Sequence, residues 1–143
     1  MTSQRPPRLS RTFGRTVIGS LSERFSITVT TFGTDRVVVT IAGDLDLANI
    51  DKVAGLTTGL PRPESQAFLV DLTDVLFCSS VGLNMLADLQ RRANETEVDM
   101  ALVVSSFPMR RTLRMTGMDR AFVVYRERAE ALLALGITSP SDR

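Results

Sequence analysis

The chain reads as a single α/β domain, a mixed β-sheet of about five strands with about four helices packed against it, in the order β-β-α-β-α-β-α-β-α. Three observations predict this class. Phe25 to Thr31 alternates apolar and polar residues, and Arg36 to Ala42 is a β-branched run beyond Gly33-Thr34-Asp35, the pattern of a hairpin. After the hairpin, short apolar runs alternate with segments of helical period, which implies parallel strands joined by right-handed crossovers. The length of 143 residues, with 43% hydrophobic and 23% charged, suits one globular domain that can bury a core.

Each element has its own signal. Gly43-Asp44-Leu45-Asp46 breaks the second strand of the hairpin. From about Leu47 to Leu60, the residues Leu47, Ile50, Val53, Ala54 and Leu56 suit an amphipathic helix, which Pro61 and Pro63 stop. Phe68-Leu69-Val70, with Asp71 at its end, reads as a central strand covered on at least one face. Ser79 and Ser80 then fall where a helix should begin. In that helix Gly82, Leu86, Leu89 and Ala93 recur at helical spacing, Val81, Leu83 and Met85 broaden the stripe, and Gly82 permits close approach to the sheet. Met100 to Val104 is the next strand. Pro108 sits in the first turn of the following helix, behind a cap at Ser105 or Ser106, and Gly117 ends it. Phe122-Val123-Val124 is the last strand and Glu127 to Leu135 the last helix.

The sequence divides into a leader over residues 1–24, a folded domain over 25–135 and a tail over 136–143. The leader carries five arginines against Glu23, a net charge of +4, while the remaining residues hold 12 basic and 15 acidic groups, a net charge of −3. Pro6, Pro7, Gly14 and Gly19 argue for disorder up to about Ser22. A basic tail can bind nucleic acid. A solvated leader accounts for it as well, and no nucleic-acid partner is expected. No apolar stretch approaches the ~20 residues that span a bilayer, and nothing resembles a signal peptide, so no membrane role and a cytoplasmic location are expected. Cys78 stands alone, which excludes an internal disulfide; it reads as a small buried hydrophobe beside Phe77.

Signals for catalysis are weak. Histidine is absent, which removes the commonest general base and metal ligand. There is no phosphate-binding glycine loop and no zinc-ligand cluster. Asp44 and Asp46 could hold a metal or pair as acid and base, and a nucleotide hydrolase could be imagined on them and the serine turn. Their simpler role is to stabilise a strand-to-helix turn. No enzyme activity, cofactor or metal is expected. Arg110, Arg111 and Arg114 share one face of their helix, either as a solvated face or as part of a partner surface. Met109, Met115 and Met118 read as core filler.

The serine turn is the informative feature. A helix start leaves backbone N–H groups unpaired and carries positive character. Serine caps that end well, and a phosphate placed there would also be tolerated. The residues therefore admit both a structural cap and a phosphorylation switch.

Three motifs in order carry a resemblance: Gly43-Asp44-Leu45-Asp46, then Asp71-Leu-Thr-Asp-Val-Leu-Phe-Cys-Ser-Ser80-Val-Gly82-Leu83, then Arg110-Arg-Thr-Leu-Arg-Met-Thr-Gly117-Met-Asp. Together, over roughly residues 25–135, they resemble the STAS domain of bacterial anti-sigma factor antagonists. The resemblance implies the STAS fold and a protein switch without catalysis of its own. In that family the unphosphorylated antagonist binds an anti-sigma factor and so frees a sigma factor. The anti-sigma factor is a kinase of the histidine-kinase-like ATPase type, and a PP2C-type phosphatase reverses its action. Aligning Gly82-Leu83 places the phosphorylated serine at Ser80, with Ser79 as the alternative. The implied partner surface comprises Asp44, Asp46, Ser79, Ser80, Val81 and Asn84. Two positions depart from the family pattern. Ser79 stands where most relatives have aspartate, and Val81 where serine, threonine or alanine usually follows. These departures sustain a second reading, an interaction or scaffold module of the same fold without a phosphoswitch.

Overall fold

A computed structural model describes residues 14–21 and 24–137. Among these residues, six strands form one sheet in sequential order: β1 (Gly14–Leu21), β2 (Ser26–Phe32), β3 (Arg36–Ala42), β4 (Ala67–Asp74), β5 (Asp99–Val103) and β6 (Val124–Tyr125). β1, β2 and β3 are antiparallel neighbours, and β3 to β6 run parallel. Four α-helices make the crossovers and the close: α1 (Ile50–Thr57), α2 (Ser80–Glu95), α3 (Phe107–Met115) and α4 (Arg128–Ala134). A single 3-10 turn, Met118–Arg120, follows α3. The α/β class and the element order from β2 onward agree with expectation.

The first correction concerns the leader. Residues 14–21, expected to be disordered, form β1 and pair antiparallel with the whole of β2, with Gly14 opposite Phe32 and Leu21 opposite Ser26. Thr16, Val17 and Ile18 are β-branched, and an adjacent strand with an open edge supplies the partner that a leader in isolation lacks. The sheet therefore has one strand more than the five anticipated. Residues 1–13, 22–23 and 138–143, which hold the rest of the expected leader and most of the expected tail, lie outside the described residues. Ile137, assigned to the tail, is buried.

The sheet divides the core in two. Val37, Val39, Ile41, Phe68, Val70, Leu72, Met100 and Leu102 face Val53 of α1, Leu83, Leu86 and Leu89 of α2, and Met109 and Leu113 of α3. On the other face Val38, Leu69, Ala101 and Val103 meet Ala131 of α4 and Ile137. β4 lies between two parallel neighbours, and its residues from Ala67 to Leu72 are buried without interruption, as a strand covered on both faces requires.

The second correction concerns α1. It starts at Ile50 rather than about Leu47, and Leu47 is exposed before it instead of lying on its apolar face. Ala54 is exposed as well, and Thr57 takes the buried position one turn after Val53, with its hydroxyl donating to the Val53 carbonyl at 2.9 Å. In α2 the expected stripe of Gly82, Leu86, Leu89 and Ala93 is buried together with Leu83, whereas Val81, expected to broaden it, faces solvent in the first turn. Ser106, not Ser105, caps α3, and Gly117 follows it with φ 77°. Met109 is core, whereas Met115 is exposed.

Candidate functional site

Because β3, β4 and β5 are parallel and adjacent, the loops at their C-terminal ends lie side by side. Backbone hydrogen bonds join the first two loops. The Gly43 N–H donates to the Asp74 carbonyl at 3.1 Å, the Leu45 N–H to Phe77 at 3.0 Å, and the Ser79 N–H to Leu45 at 2.9 Å. Leu45 and Cys78 thus form a short parallel bridge that continues the β3–β4 pairing beyond the strands. The third loop is tied in through Ser106, whose hydroxyl donates to the Val75 carbonyl at 3.1 Å and accepts the Met109 N–H at 3.3 Å.

The two serines have different surroundings. Ser79 is the N-cap of α2, extended at φ −78° and ψ 174°. Its hydroxyl oxygen accepts the Gly82 N–H at 3.5 Å while the hydroxyl donates to the Leu45 carbonyl at 3.3 Å. Ser79 is half-buried and both roles of its oxygen are engaged. Ser80 is the first helical residue, and its hydroxyl is exposed with no hydrogen bond to the described residues. Val81 and Asn84 are also exposed, and Asn84 lies one turn beyond Ser80 on the same face.

Gly82 fixes how closely these parts fit. A Cβ at this position would lie 2.8 Å from both Cys78 Sγ and the Leu45 carbonyl oxygen. The absence of a side chain therefore lets the first turn of α2 rest directly on the Leu45–Cys78 bridge. Cys78 is buried there, and burial pushes its thiol from 9.0 up to about 12. It stays protonated and unreactive near neutral pH.

The aspartates of the first loop serve the turn. The Asp46 carboxylate accepts the Asn49 N–H at 3.2 Å, and its backbone carbonyl accepts the N–H groups of Asn49 and Ile50. The Asp44 carbonyl accepts from the Asn49 side chain at 2.9 Å, leaving the Asp44 carboxylate exposed. Among the described residues no cluster of three or more potential metal ligands occurs. The structure thus brings Asp44, Asp46, Ser79, Ser80, Val81 and Asn84 to one end of the sheet, on two loops held together by backbone bonds and on the start of α2.

Sequence reasoning missed the apolar character of this surface. Leu47 is 75% exposed, Leu76 61%, Phe77 53% and Val81 36%, and all four lie on the same two loops and the start of α2. Large apolar side chains left in water are unfavourable unless something covers them. The available signal was Leu76-Phe77 between a strand and a helix cap, where neither helical nor strand period accounts for two large apolar residues. The Leu45 carbonyl as a double acceptor left no signal, because it is a backbone group.

The chain is similar to several known proteins over most of its length. A family model described as the STAS domain matches residues 27–131. The anti-sigma-F factor antagonist RsfB of Mycobacterium tuberculosis is 29% identical over 108 residues, which cover 75% of this chain and 88% of RsfB. Among solved structures, an anti-sigma factor antagonist from Mycobacterium paratuberculosis superposes with a TM-score of 0.71 at 25% identity, covering 82% of this chain and 98% of that one. The Bacillus cell fate determinant SpoIIAA in its phosphorylated form shares the fold, with a TM-score of 0.59 at 16% identity over 76% of this chain and 98% of its own.

Proposed function

This chain belongs to the STAS domain family, and we propose that it acts there as an anti-sigma factor antagonist switched by phosphorylation of Ser80. The observation that carries this reading is the contrast between neighbouring serines. Ser79 is engaged in capping, whereas Ser80 presents a free hydroxyl beside exposed Leu47, Leu76, Phe77 and Val81. In the unphosphorylated state this apolar rim, with Asp44, Asp46 and Asn84 among it, packs against an anti-sigma factor and frees the sigma factor. The partner is a kinase of the histidine-kinase-like ATPase type acting in the cytoplasm. It transfers a phosphoryl group from ATP to Ser80 Oγ, and a PP2C-type phosphatase hydrolyses it. The chain supplies the surface and the acceptor; catalysis belongs to its partners.

The switch follows from electrostatics. A phosphoserine adds about −1.5 to −2 charge and three acceptor oxygens. At the first position of α2 the helix dipole tolerates that charge, so the antagonist stays folded. Within a packed apolar contact the same charge must be desolvated without a compensating partner, which costs several kcal/mol and weakens binding by ~10²-fold or more.

The test pairs the full chain with kinase-type anti-sigma factors from the same genome, with and without ATP. Calorimetry follows binding, and intact mass with site mapping follows modification. The expected result is a complex that dissociates as phosphate appears on Ser80. Ser80→Ala should bind and remain bound in ATP, while Ser80→Asp should bind about 10²-fold more weakly. A complex that persists in ATP with no added phosphate would remove the switch and leave an interaction module.

A further inference from the structure

We propose that the cleft between α3 and β6 is a binding site for a small organic oxyanion, a phosphate or carboxylate, carried on an apolar body. The cleft has a volume of about 370 Å³ and is lined by Arg110, Leu113, Arg114, Asp119, Phe122 and Val124. It shares no residue with the serine surface. Its size falls at the lower end for small-molecule sites, where a single-ring compound fits.

The lining has two chemistries. Leu113 and Phe122 are buried, and with half-buried Val124 they give the cleft an apolar floor. Arg110 and Arg114 lie one helical turn apart on α3 and so project from one face. Neither guanidinium makes an ion pair with any described residue, unlike Arg36, Arg91 and Arg128. Arg110 Nε is buried with no hydrogen-bond partner. A buried guanidinium N–H left unpaired is unfavourable, and such a group calls for a missing acceptor. Asp119 is the one carboxylate in the lining and is not within ion-pair distance of either arginine, so positive charge is in excess.

Two guanidinium groups one turn apart present a fork of donors that matches the oxygens of a phosphate or carboxylate. The terminal nitrogens of Arg110 and Arg114 would hold the anionic group, and a small turn of the Arg110 side chain toward it would bring its buried Nε–H to an acceptor. The apolar remainder of the ligand would cover Leu113, Phe122 and Val124. A bare inorganic ion would leave the exposed parts of Phe122 and Val124 in water, and a neutral apolar compound would leave both arginines unpaired. The chemistry thus requires the two parts together.

The test titrates the full-length chain with phenyl phosphate, phenylacetate, inorganic phosphate and 2-phenylethanol, followed by amide NMR shifts. Phenyl phosphate or phenylacetate is expected to give saturable shifts at residues 110–114 and 122–124, with affinity at least about tenfold above those of inorganic phosphate and of the neutral alcohol. Which of the two binds better identifies phosphate or carboxylate as the anionic group. Arg110→Gln is expected to lower that affinity about tenfold or more. Arg114→Gln, at an exposed position, is expected to do the same without disturbing the fold, and Arg91→Gln on α2 should change nothing. Absence of saturable shifts with both aromatic anions would overturn the proposal. So would equal binding of inorganic phosphate, or unchanged affinity in both Arg110→Gln and Arg114→Gln.

Discussion

Three residues behind Ser80 set the geometry of the turn, and each can be tested singly. Alanine at Gly82 would gain up to about 1 kcal/mol of helix propensity. Its Cβ would also lie 2.8 Å from Cys78 Sγ and from the Leu45 carbonyl oxygen. Overpacking of this kind costs about 1–3 kcal/mol, so the clash wins and Gly82→Ala should lower the urea midpoint. Ser79→Ala removes the acceptor for the Gly82 N–H and should cost about 0.5–2 kcal/mol, while a phosphate should still map to Ser80. Cys78 holds its proton more tightly in the fold than in the unfolded chain, with its thiol raised from 9.0 to about 12. Its contribution to stability is therefore complete below pH 9 and is lost as pH rises from 9 toward 12. At pH 8 iodoacetamide should modify the native chain far more slowly than the chain in urea; equal rates would show an open thiol. Much of this turn was legible beforehand. Ser79-Ser80 at a helix start and Gly82 against the sheet follow from spacing alone. The division of labour between the serines did not, because it depends on a carbonyl oxygen at Leu45, far away in sequence.

At the scale of elements, a buried charge couples the central strand to the last helix. Asp71 of β4 is 3% exposed, and its carboxylate accepts from Arg128 of α4 at 2.7 Å and from both the N–H and the hydroxyl of Thr73. Arg128 also donates to the Thr40 hydroxyl on β3 at 3.3 Å, so one guanidinium spans two strands. Arg128→Ala leaves one Asp71 oxygen buried without its partner and should cost about 1–3 kcal/mol in urea unfolding. The lower half of that range is expected, since the Arg128 side chain is 42% exposed and water takes part of its place. No sequence rule joins positions 71 and 128, because Asp71 reads equally well as a strand terminator. The helical boundaries show the same division. α2 and α3 carry serine caps that mark their starts in the sequence, whereas α1 starts later than its apolar period suggests. Leu47 fits the helical period, but the Asp46 carboxylate and carbonyl organise a turn through Asn49 before the helix can begin.

At the scale of the whole molecule, β1 is the edge strand at the antiparallel margin of the sheet. β1 covers β2, a strand of sequence Ser-Ile-Thr-Val-Thr-Thr-Phe that carries no charge. An uncharged, β-branched strand with an open edge invites pairing with a second chain. Deleting residues 1–21 should therefore keep the α/β circular dichroism signature while raising the mass seen by light scattering above that of the full chain. An unchanged mass would show that β2 needs no cover. This architecture was legible only from β2 onward. The strands after it announced themselves by their apolar runs, but the arginines and glycines around Val17 and Ile18 disguised a strand whose partner lies in the hairpin. The bond from Ser79 to Leu45 makes the serine turn a marker of complete folding. The serine turn takes its shape from a loop thirty-four residues upstream, so it exists only once β3 and β4 have come together. A chain still emerging from the ribosome, or one denatured by heat, has the same serines in its sequence and offers no such turn. A partner that recognises the proposed surface would therefore bind finished molecules and pass over the rest.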